Sequence, residues 1–290
     1  MNDRLLSVLR QLRLSGLAQT LDVRLQEAAS HQLSHAEFLE LIFQDELLVR
    51  QERQINRRVK SAMFREVKPL DQFDWSFNPS INRKQVFDLA TCRFVRESQD
   101  VLLLGPPGVG KSFLVQAIGY QAIKQGLTVL YRSIFDLLRD FMQEETLGDE
   151  NILARYLKPD LLIIDDMGMK QVAKRSGEFL FEIIMRRYEV RSTIMTSNRP
   201  LEDWGKLLGD VPSATAILDR FLHHAQIVSI TGKSYRLRNR AVTDQAIADA
   251  MEKGVEESNP AIPPPGSKKP KRSKKDDPPG GETASPPCRS

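Results

Sequence analysis

The stretch VLLLGPPGVGKSF, Val101–Phe113, decides the fold. Four apolar residues come first, then a turn rich in glycine and proline, and then Lys111 and Ser112. The apolar run predicts a short buried strand, and the glycines let successive backbone N–H groups approach an anion closely. A helix that begins near Lys111 would add the positive end of its dipole. The stretch therefore predicts a strand, a phosphate-binding loop and a helix, in that order.

The turn fits the phosphate-loop pattern G-x-x-x-x-G-K-[ST]. In this pattern the lysine reaches the outer phosphates of a nucleotide, and the hydroxyl of the next residue coordinates Mg²⁺. The alternative is a chance glycine-rich turn, which average residue usage produces in roughly one chain of this length in a hundred. Because a strand pattern precedes the turn and a helix pattern follows it, we predict binding of ATP and Mg²⁺, with Ser112 as a metal ligand. The predicted loop comprises Gly105, Pro106, Pro107, Gly108, Val109, Gly110, Lys111, Ser112 and Phe113.

The run DLLIIDD, residues 160–166, supplies a second part of a nucleotide site. A phosphate loop works with a carboxylate at the end of another buried strand, and Asp165 would hold Mg²⁺ there through water. Asp166 would polarise the attacking water as a general base. The alternative is a pair of solvated acids, but two adjacent carboxylates that close an apolar run are unfavourable without a cation. The pair therefore predicts ATP hydrolysis.

The apolar runs VLLLG, TVLYRS, DLLIIDD and STIMTSN alternate with helical patterns. Short apolar strands with helices between them predict an α/β fold, in which helices cover both faces of a parallel sheet. The last run ends in Asn198, whose amide could orient water against a γ-phosphate. Asparagine is also a common turn residue, so this signal alone is weak.

The chain divides by composition into parts with different expected roles. The first part shows leucines at helical spacing and a capping-box pattern, in which Ser34 is followed by Glu37. The last part is dominated by proline, glycine and charge, which predicts disorder. The predicted parts are a helical N-terminal domain for DNA or partner binding (1–68), a connector (69–98), the nucleotide-binding domain (99–254) and a disordered basic tail (255–290).

Composition bounds the class of protein. The 290 residues include 42 Lys and Arg against 38 Asp and Glu, so the net charge is +4, which permits an anionic partner without requiring one. The two cysteines, Cys92 and Cys288, lie far apart, which argues against a disulfide framework and a zinc site. No stretch approaches the length of a membrane span, so we expect a cytoplasmic protein without a membrane partner.

The order of these parts resembles the AAA+ ATPases of the IstB/DnaC type. The motifs that carry the resemblance include TSNRPLEDWGKLLGD, LDRFLHH and TGKSYR in the second half of the chain. LRLSGLAQTL and RQERQINRRVK carry it in the first part, so it spans about residues 1 to 240. The match is close to the IstB-like helpers of bacterial insertion-sequence transposases. The resemblance implies an AAA+ fold and an ATP-dependent homo-oligomer.

The resemblance also implies roles for three polar residues. Asn198 takes the sensor-1 position, and Arg236 matches the sensor-2 arginine. Arg220 matches the arginine finger, which reaches the γ-phosphate bound to the neighbouring subunit. A guanidinium suits this role because phosphoryl transfer accumulates charge on the γ-oxygens. The alternative for each arginine is a surface salt bridge.

Basic segments predict contacts with duplex DNA. In RQERQINRRVK, Arg50, Arg53, Arg57 and Lys60 share one helix face beside Arg58, which is typical of a phosphate-contacting stripe. A solvated helix face is the alternative. The resemblance places the region after the acidic pair near the channel of an AAA+ ring, where further cations would contact DNA. That second group comprises Lys170, Lys174, Arg175, Arg186 and Arg187.

The predicted function is that of a transposition helper. The protein would assemble on duplex DNA, hydrolyse ATP and deliver target DNA to its cognate transposase. Two alternatives stay open: a helicase loader of the DnaC type, and a nucleotide-gated DNA clamp with negligible turnover. Four aromatic and histidine residues are expected to be structural: Trp75, Trp204, His223 and His224.

Overall fold

The structure, a computed structural model, describes residues 3–147, 151–169, 174–204 and 211–238. Its strands are β1 (Val101–Leu104), β2 (Val129–Ser133), β3 (Leu161–Met167), β4 (Ser192–Ser197) and β5 (Gln226–Ser229). Its helices are α1 (Asp3–Gln11), α2 (Ser15–His31), α3 (His35–Ala62), α4 (Arg83–Ala90), α5 (Arg93–Arg96), α6 (Lys111–Lys124), α7 (Ile134–Leu147), α8 (Asn151–Leu157), α9 (Lys174–Arg187) and α10 (Val211–His223).

The strands form one parallel sheet in the order β2-β3-β4-β1-β5. The first four strands coincide with the four apolar runs, so the predicted parallel sheet is confirmed. The sequence pattern missed β5, an edge strand in which only Val228 is buried. A strand with one buried side chain gives a weak hydrophobic signal, which explains the omission.

Helices cover both faces of the sheet, and each face has its own core. Successive side chains of a strand point to opposite faces. Val101 and Leu103 accordingly lie in the core beneath α4 and α6, whereas Leu102 lies in the opposite core with side chains of α7, α8, α9 and α10. Trp204 is completely buried in this second core, as predicted for a packing residue. The α/β expectation is confirmed on both faces.

The N-terminal helices have a small core of their own. It is built from Leu9, Leu17, Leu21 and Ile42. The long helix α3 leaves this core towards its C-terminal end, where Ile55, Val59 and Ala62 pack against the core of the sheet. The helix therefore connects the N-terminal helices directly to the nucleotide-binding part of the chain.

The start of α3 has the capping box that the sequence pattern predicts. Ser34 Oγ accepts a hydrogen bond from the backbone N–H of Glu37, and the Glu37 carboxylate accepts one from the backbone N–H of Ser34 at 2.8 Å. The predicted capping box is therefore present. Cys92 is a buried free thiol.

Some predictions concern parts of the chain that the structure does not describe. No helix in the described ranges is long and apolar enough to cross a membrane. The predicted disordered tail, 255–290, lies outside the described residues, as do Lys170 and the side chains of Lys174 and Arg175.

Candidate nucleotide-binding site

The loop between β1 and α6 has the backbone of a phosphate cradle. Gly108 and Gly110 adopt φ angles of +83° and +104°, which L-residues with side chains rarely adopt. A Cβ atom on Gly110 would also lie 2.8 Å from the ring of Phe73. Both the torsion angle and the close ring require glycine at this position, and the backbone is therefore free to approach a ligand.

Lys111 begins α6 and is held inside the loop. Its ammonium donates hydrogen bonds to the carbonyl oxygens of Gly105, at 2.6 Å, and Pro106, at 2.9 Å. Burial lowers the pKa of this lysine, while the nearby charges of Asp165 and Asp166 act in the opposite direction. The ammonium is thus oriented within the cradle, where an anionic phosphate could replace the two neutral carbonyls as its partner.

A local irregularity of the sheet positions the two acids. The pairing of β3 with β4 shifts between Ile164 and Met167, and Asp166 adopts a left-handed φ of +63°. Its backbone N–H donates to the hydroxyl oxygen of Thr196 at 3.0 Å, and that hydroxyl donates to the carboxylate of Asp165. This arrangement leaves Asp165 fully buried, while Asp166 lines the cleft above the sheet.

The buried carboxylate of Asp165 is fixed from both neighbouring strands. Tyr131 of β2 donates its hydroxyl proton to the carboxylate at 2.6 Å, and Thr196 of β4 donates from the other side. Burial, reinforced by the charge of Asp165, raises the pKa of Tyr131, so the phenol stays a donor. Within the described ranges, Asp165 forms no salt bridge with a lysine or arginine. A carboxylate accepts several bonds, and the side chains of Asp165 and Ser112 both offer oxygen ligands of the kind that Mg²⁺ takes.

Asp166 has the environment expected of a general base. Burial raises the pKa of its carboxyl, Asp165 raises it further, and Arg65 opposes both effects. The Arg65 guanidinium lies 3.2 Å from Asp166 Oδ2. A carboxyl with a raised pKa at the wall of a cleft can accept a proton from water more readily than an ordinary aspartate.

The cleft brings together residues from distant parts of the sequence. It has a volume of about 580 Å³ and is lined by Lys111, Ser112, Asp166, Asn198 and Arg236, among others. Asn198 directly follows β4, and its side-chain oxygen is buried without a hydrogen-bond partner among the described residues. Arg236 lies in the short 3-10 helix Tyr235–Leu237. Asn198 therefore shares the cleft with the candidate general base Asp166.

Sequence reasoning missed one wall of this cleft. The predicted connector contains α4, α5 and a 3-10 helix, and its Phe73 and Phe77 line the cleft. The Phe73 ring packs 5.1 Å from Phe113 of the phosphate loop, and the Phe77 ring lies 4.9 Å from Tyr235. The aromatic density of the segment FDWSF was the available signal. Trp75 stacks on Phe87, which confirms its predicted packing role.

Arg220 lies apart from the cleft of its own chain. It is exposed on α10, with its guanidinium 5.3 Å from the centre of the Tyr188 ring, and it is not among the residues that line the cleft. The two histidines that follow hold the same surface together. Tyr188 bonds His223 at 2.7 Å, and His224 bonds Glu189 at 3.0 Å.

The structure corrects the prediction that Arg187 contacts DNA. The side chain is 1% exposed, and its guanidinium donates to the carbonyl oxygens of Tyr156, Pro159 and Ser192. Burial lowers the pKa of Arg187 to about 10, which leaves it charged at neutral pH. The side chain closes the end of α9 against the sheet. Its neighbour Arg186 is exposed and paired with Glu182.

The predicted basic face of α3 is exposed to solvent. Arg50, Arg53, Arg57 and Lys60 are exposed, and Arg58 is half-buried. Three of these cations already have partners. Arg50 pairs with Glu46 at 2.7 Å, Arg53 donates to Ser15, and Arg57 donates a long hydrogen bond of 3.4 Å to the carbonyl oxygen of Arg53. The face therefore remains available to a polyanion, with Arg57 and Lys60 its least engaged cations.

Sequence comparison agrees with this site. The profile of the family described as IstB-like ATP binding protein matches residues 7–243. The chain belongs to the IstB-like ATP-binding protein family. The match covers the N-terminal helices, the phosphate loop, the acidic pair and the segment around Arg236. This IstB-like chain is therefore a member of an ATP-binding protein family.

Individual relatives extend the comparison. The chain is 39% identical over 237 residues to an insertion sequence IS21 protein of Pseudomonas aeruginosa named for ATP binding, covering 80% of this chain and 88% of that protein. It is 34% identical over 250 residues to an insertion sequence IS5376 counterpart from Geobacillus stearothermophilus, covering 86% of this chain and 100% of that protein. A solved structure of the replication initiator DnaA, bound to AMPPCP and single-stranded DNA, is similar with a TM-score of 0.50 and 24% identity, over 59% of this chain and 52% of that one. This last likeness concerns the fold alone.

Proposed function

We propose that the protein hydrolyses ATP to control its assembly on duplex DNA, and that it delivers this DNA to a cognate transposase. The observation that carries the proposal is the position of Asp166, which lines one cleft with Lys111 and Asn198. A phosphate-binding cation, a candidate general base and a water-orienting amide are the groups that phosphoryl transfer to water requires.

Each side chain has a role within this proposal. Lys111 exchanges its carbonyl partners for the phosphates, and Asp166 accepts a proton from the water that Asn198 orients. Ser112 and Asp165 hold Mg²⁺, which supplies charge neutralisation at the phosphates. Arg236 adds a guanidinium from the cleft wall, and the aromatic wall around Phe77 provides a flat apolar surface for the base of the nucleotide.

The position of Arg220 supports the proposal of an oligomer. Because this arginine is exposed and does not line its own cleft, it is free to enter the cleft of a neighbouring subunit. An arginine supplied in this way stabilises charge that develops in the transition state. The proposed active form is therefore an ATP-dependent homo-oligomer in which each site is completed by the next subunit.

The proposal of a DNA partner rests on the positive charge of α3 and on the similarity to insertion-sequence proteins. The exposed face of α3 carries cations at helical spacing, which suits the phosphates of a duplex. Relatives at 34% and 39% identity are named for insertion sequences. Transfer of the bound target to a transposase is the role that unites an insertion-sequence protein, a nucleotide site and a basic face.

Phosphate release, measured with and without duplex DNA, tests this function. The proposal expects turnover by the wild-type chain, faster turnover with duplex DNA, and none in Lys111→Ala. No turnover under either condition would favour a nucleotide-gated clamp. A pull-down against a transposase and a replicative helicase distinguishes the transposition helper from the helicase loader. Capture of the helicase alone would favour the loader.

A further inference from the structure

The ion pair between Arg65 and Asp166 joins two regions that are far apart in sequence. Arg65 follows the end of α3, and its guanidinium lies 3.2 Å from Asp166 Oδ2. Both side chains line the nucleotide cleft, and the Arg65 side chain is 48% exposed. The family motifs assign no role to Arg65, yet it is the direct partner of the candidate general base.

The residues on either side of Arg65 are anchored to the same site. The Phe64 ring lies 6.2 Å from the ring of Tyr131, whose hydroxyl holds Asp165. The backbone N–H of Glu66 donates to Gln116 Oε1 at 3.1 Å. Gln116 in turn donates to the carbonyl oxygen of Ser112 at 2.9 Å. A displacement of the end of α3 therefore acts on the acidic pair and on the first turn of α6 together.

The same helix carries the basic face. Arg57 and Lys60 lie within the last two turns of α3, and both are exposed. We propose that Arg65 is a positioning residue that restrains Asp166 until a polyanion engages the basic face of α3. The inference rests on the proposed function, because it names how DNA regulates the proposed ATP hydrolysis.

The restraint has a simple physical basis. A carboxylate bonded to a guanidinium has one oxygen occupied and is held in one orientation, away from a water molecule in the cleft. When bound phosphates displace the end of α3, the Arg65 guanidinium moves away from Asp166. The carboxylate then becomes free to accept a proton from water. Since coupling between two sites is reciprocal in binding, ATP also changes the affinity for DNA through the same link.

The test compares ATP hydrolysis and DNA binding in the wild-type chain, Arg65→Gln and Arg65→Lys. Without DNA, Arg65→Gln should raise kcat about fivefold or more, a typical coupling, with the change in kcat rather than in KM. Duplex DNA should accelerate the wild-type chain but change Arg65→Gln by less than about twofold. Arg65→Lys keeps the charge and should keep part of the restraint.

Arg139→Gln is the matched control. Arg139 is another exposed arginine, paired with Asp136 at 2.7 Å on α7, away from the cleft lining, and this variant should respond to DNA as the wild-type chain does. If Arg65→Gln is accelerated by DNA as much as the wild-type chain, or is no faster without DNA, the inference alone is overturned. A wild-type chain that binds no duplex DNA, or whose hydrolysis ignores it, overturns the proposed function and this inference with it.

Discussion

Tyr131 of β2 donates a hydrogen bond of 2.6 Å to Asp165 of the adjacent strand β3, whose direct register partner is Ser133. Thr196 donates to the same carboxylate from β4 on the other side. The orientation of this acid is therefore set by three adjacent strands of the sheet rather than by a ligand. A prearranged carboxylate needs little reorganisation when a nucleotide and its cation bind.

Replacement of Lys111 by alanine should abolish tight ATP binding. The ammonium is the cation inside the loop, and a charged hydrogen bond contributes about 1.5–3 kcal/mol, so affinity should fall by at least tenfold. Lys124→Ala is the control, because Lys124 lies at the other end of the same helix. Titration with a fluorescent ATP analogue measures the affinity of both variants. Equal affinity in the Lys111 and Lys124 variants would refute the assignment of the loop lysine.

Asp166→Asn should retain ATP binding and lose hydrolysis. An amide cannot accept the proton of water, and general-base contributions are about 10²–10⁴ in rate. Wild-type turnover should also fall as the pH drops through the raised pKa of Asp166, because only the ionised carboxylate acts as a base. Phosphate release as a function of pH checks both points. Hydrolysis by the variant at the wild-type rate would show that the base is another group.

Arg220→Ala should leave nucleotide binding to an isolated subunit unchanged and abolish turnover in the assembly. Arginine fingers contribute about 10³–10⁵ in rate in other NTPases. Mixing Arg220→Ala with Lys111→Ala subunits should restore part of the activity, since some interfaces then pair an intact loop with an intact finger. An absence of rescue at every mixing ratio, with assembly intact, would contradict the role in trans.

The adjacent residues Arg186 and Arg187 should behave oppositely. Arg187→Gln leaves several buried carbonyl oxygens without their hydrogen-bond donor. Each unsatisfied buried oxygen costs about 1–3 kcal/mol, so the variant should have a strongly lowered free energy of unfolding. Arg186→Gln breaks an exposed ion pair and should change that free energy by less than about 1 kcal/mol. Urea unfolding of both variants measures the difference. Comparable stability of the two would contradict the buried role of Arg187.

The parts of the site that sequence predicts are those with a fixed spacing. The phosphate loop, the acidic pair and Asn198 each follow an apolar run, and the carboxyl ends of parallel strands meet at one edge of a sheet. The sequence therefore predicts that Lys111, Asp166 and Asn198 lie at the same edge of the sheet. Strands β1, β2, β3 and β4 were predicted for the same reason, since each contains an apolar run.

Other features depend on packing that no local pattern encodes. The register shift that places Asp166 in the cleft and Asp165 beneath it arises between two strands. The contact of Arg65 with Asp166 spans 101 positions of the chain. Arg186 and Arg187 are adjacent arginines, yet Arg186 is exposed and Arg187 is buried, because adjacent helix positions face different directions.

Binding of labelled duplex and single-stranded DNA, titrated with ATP and with ADP, tests the central claim most directly. The account predicts cooperative binding that requires ATP, prefers duplex and weakens steeply with salt. Each neutralised phosphate should add about −0.9 to the log–log salt slope. Equal affinity in the ATP and ADP states, or a clear preference for single strands, would contradict it.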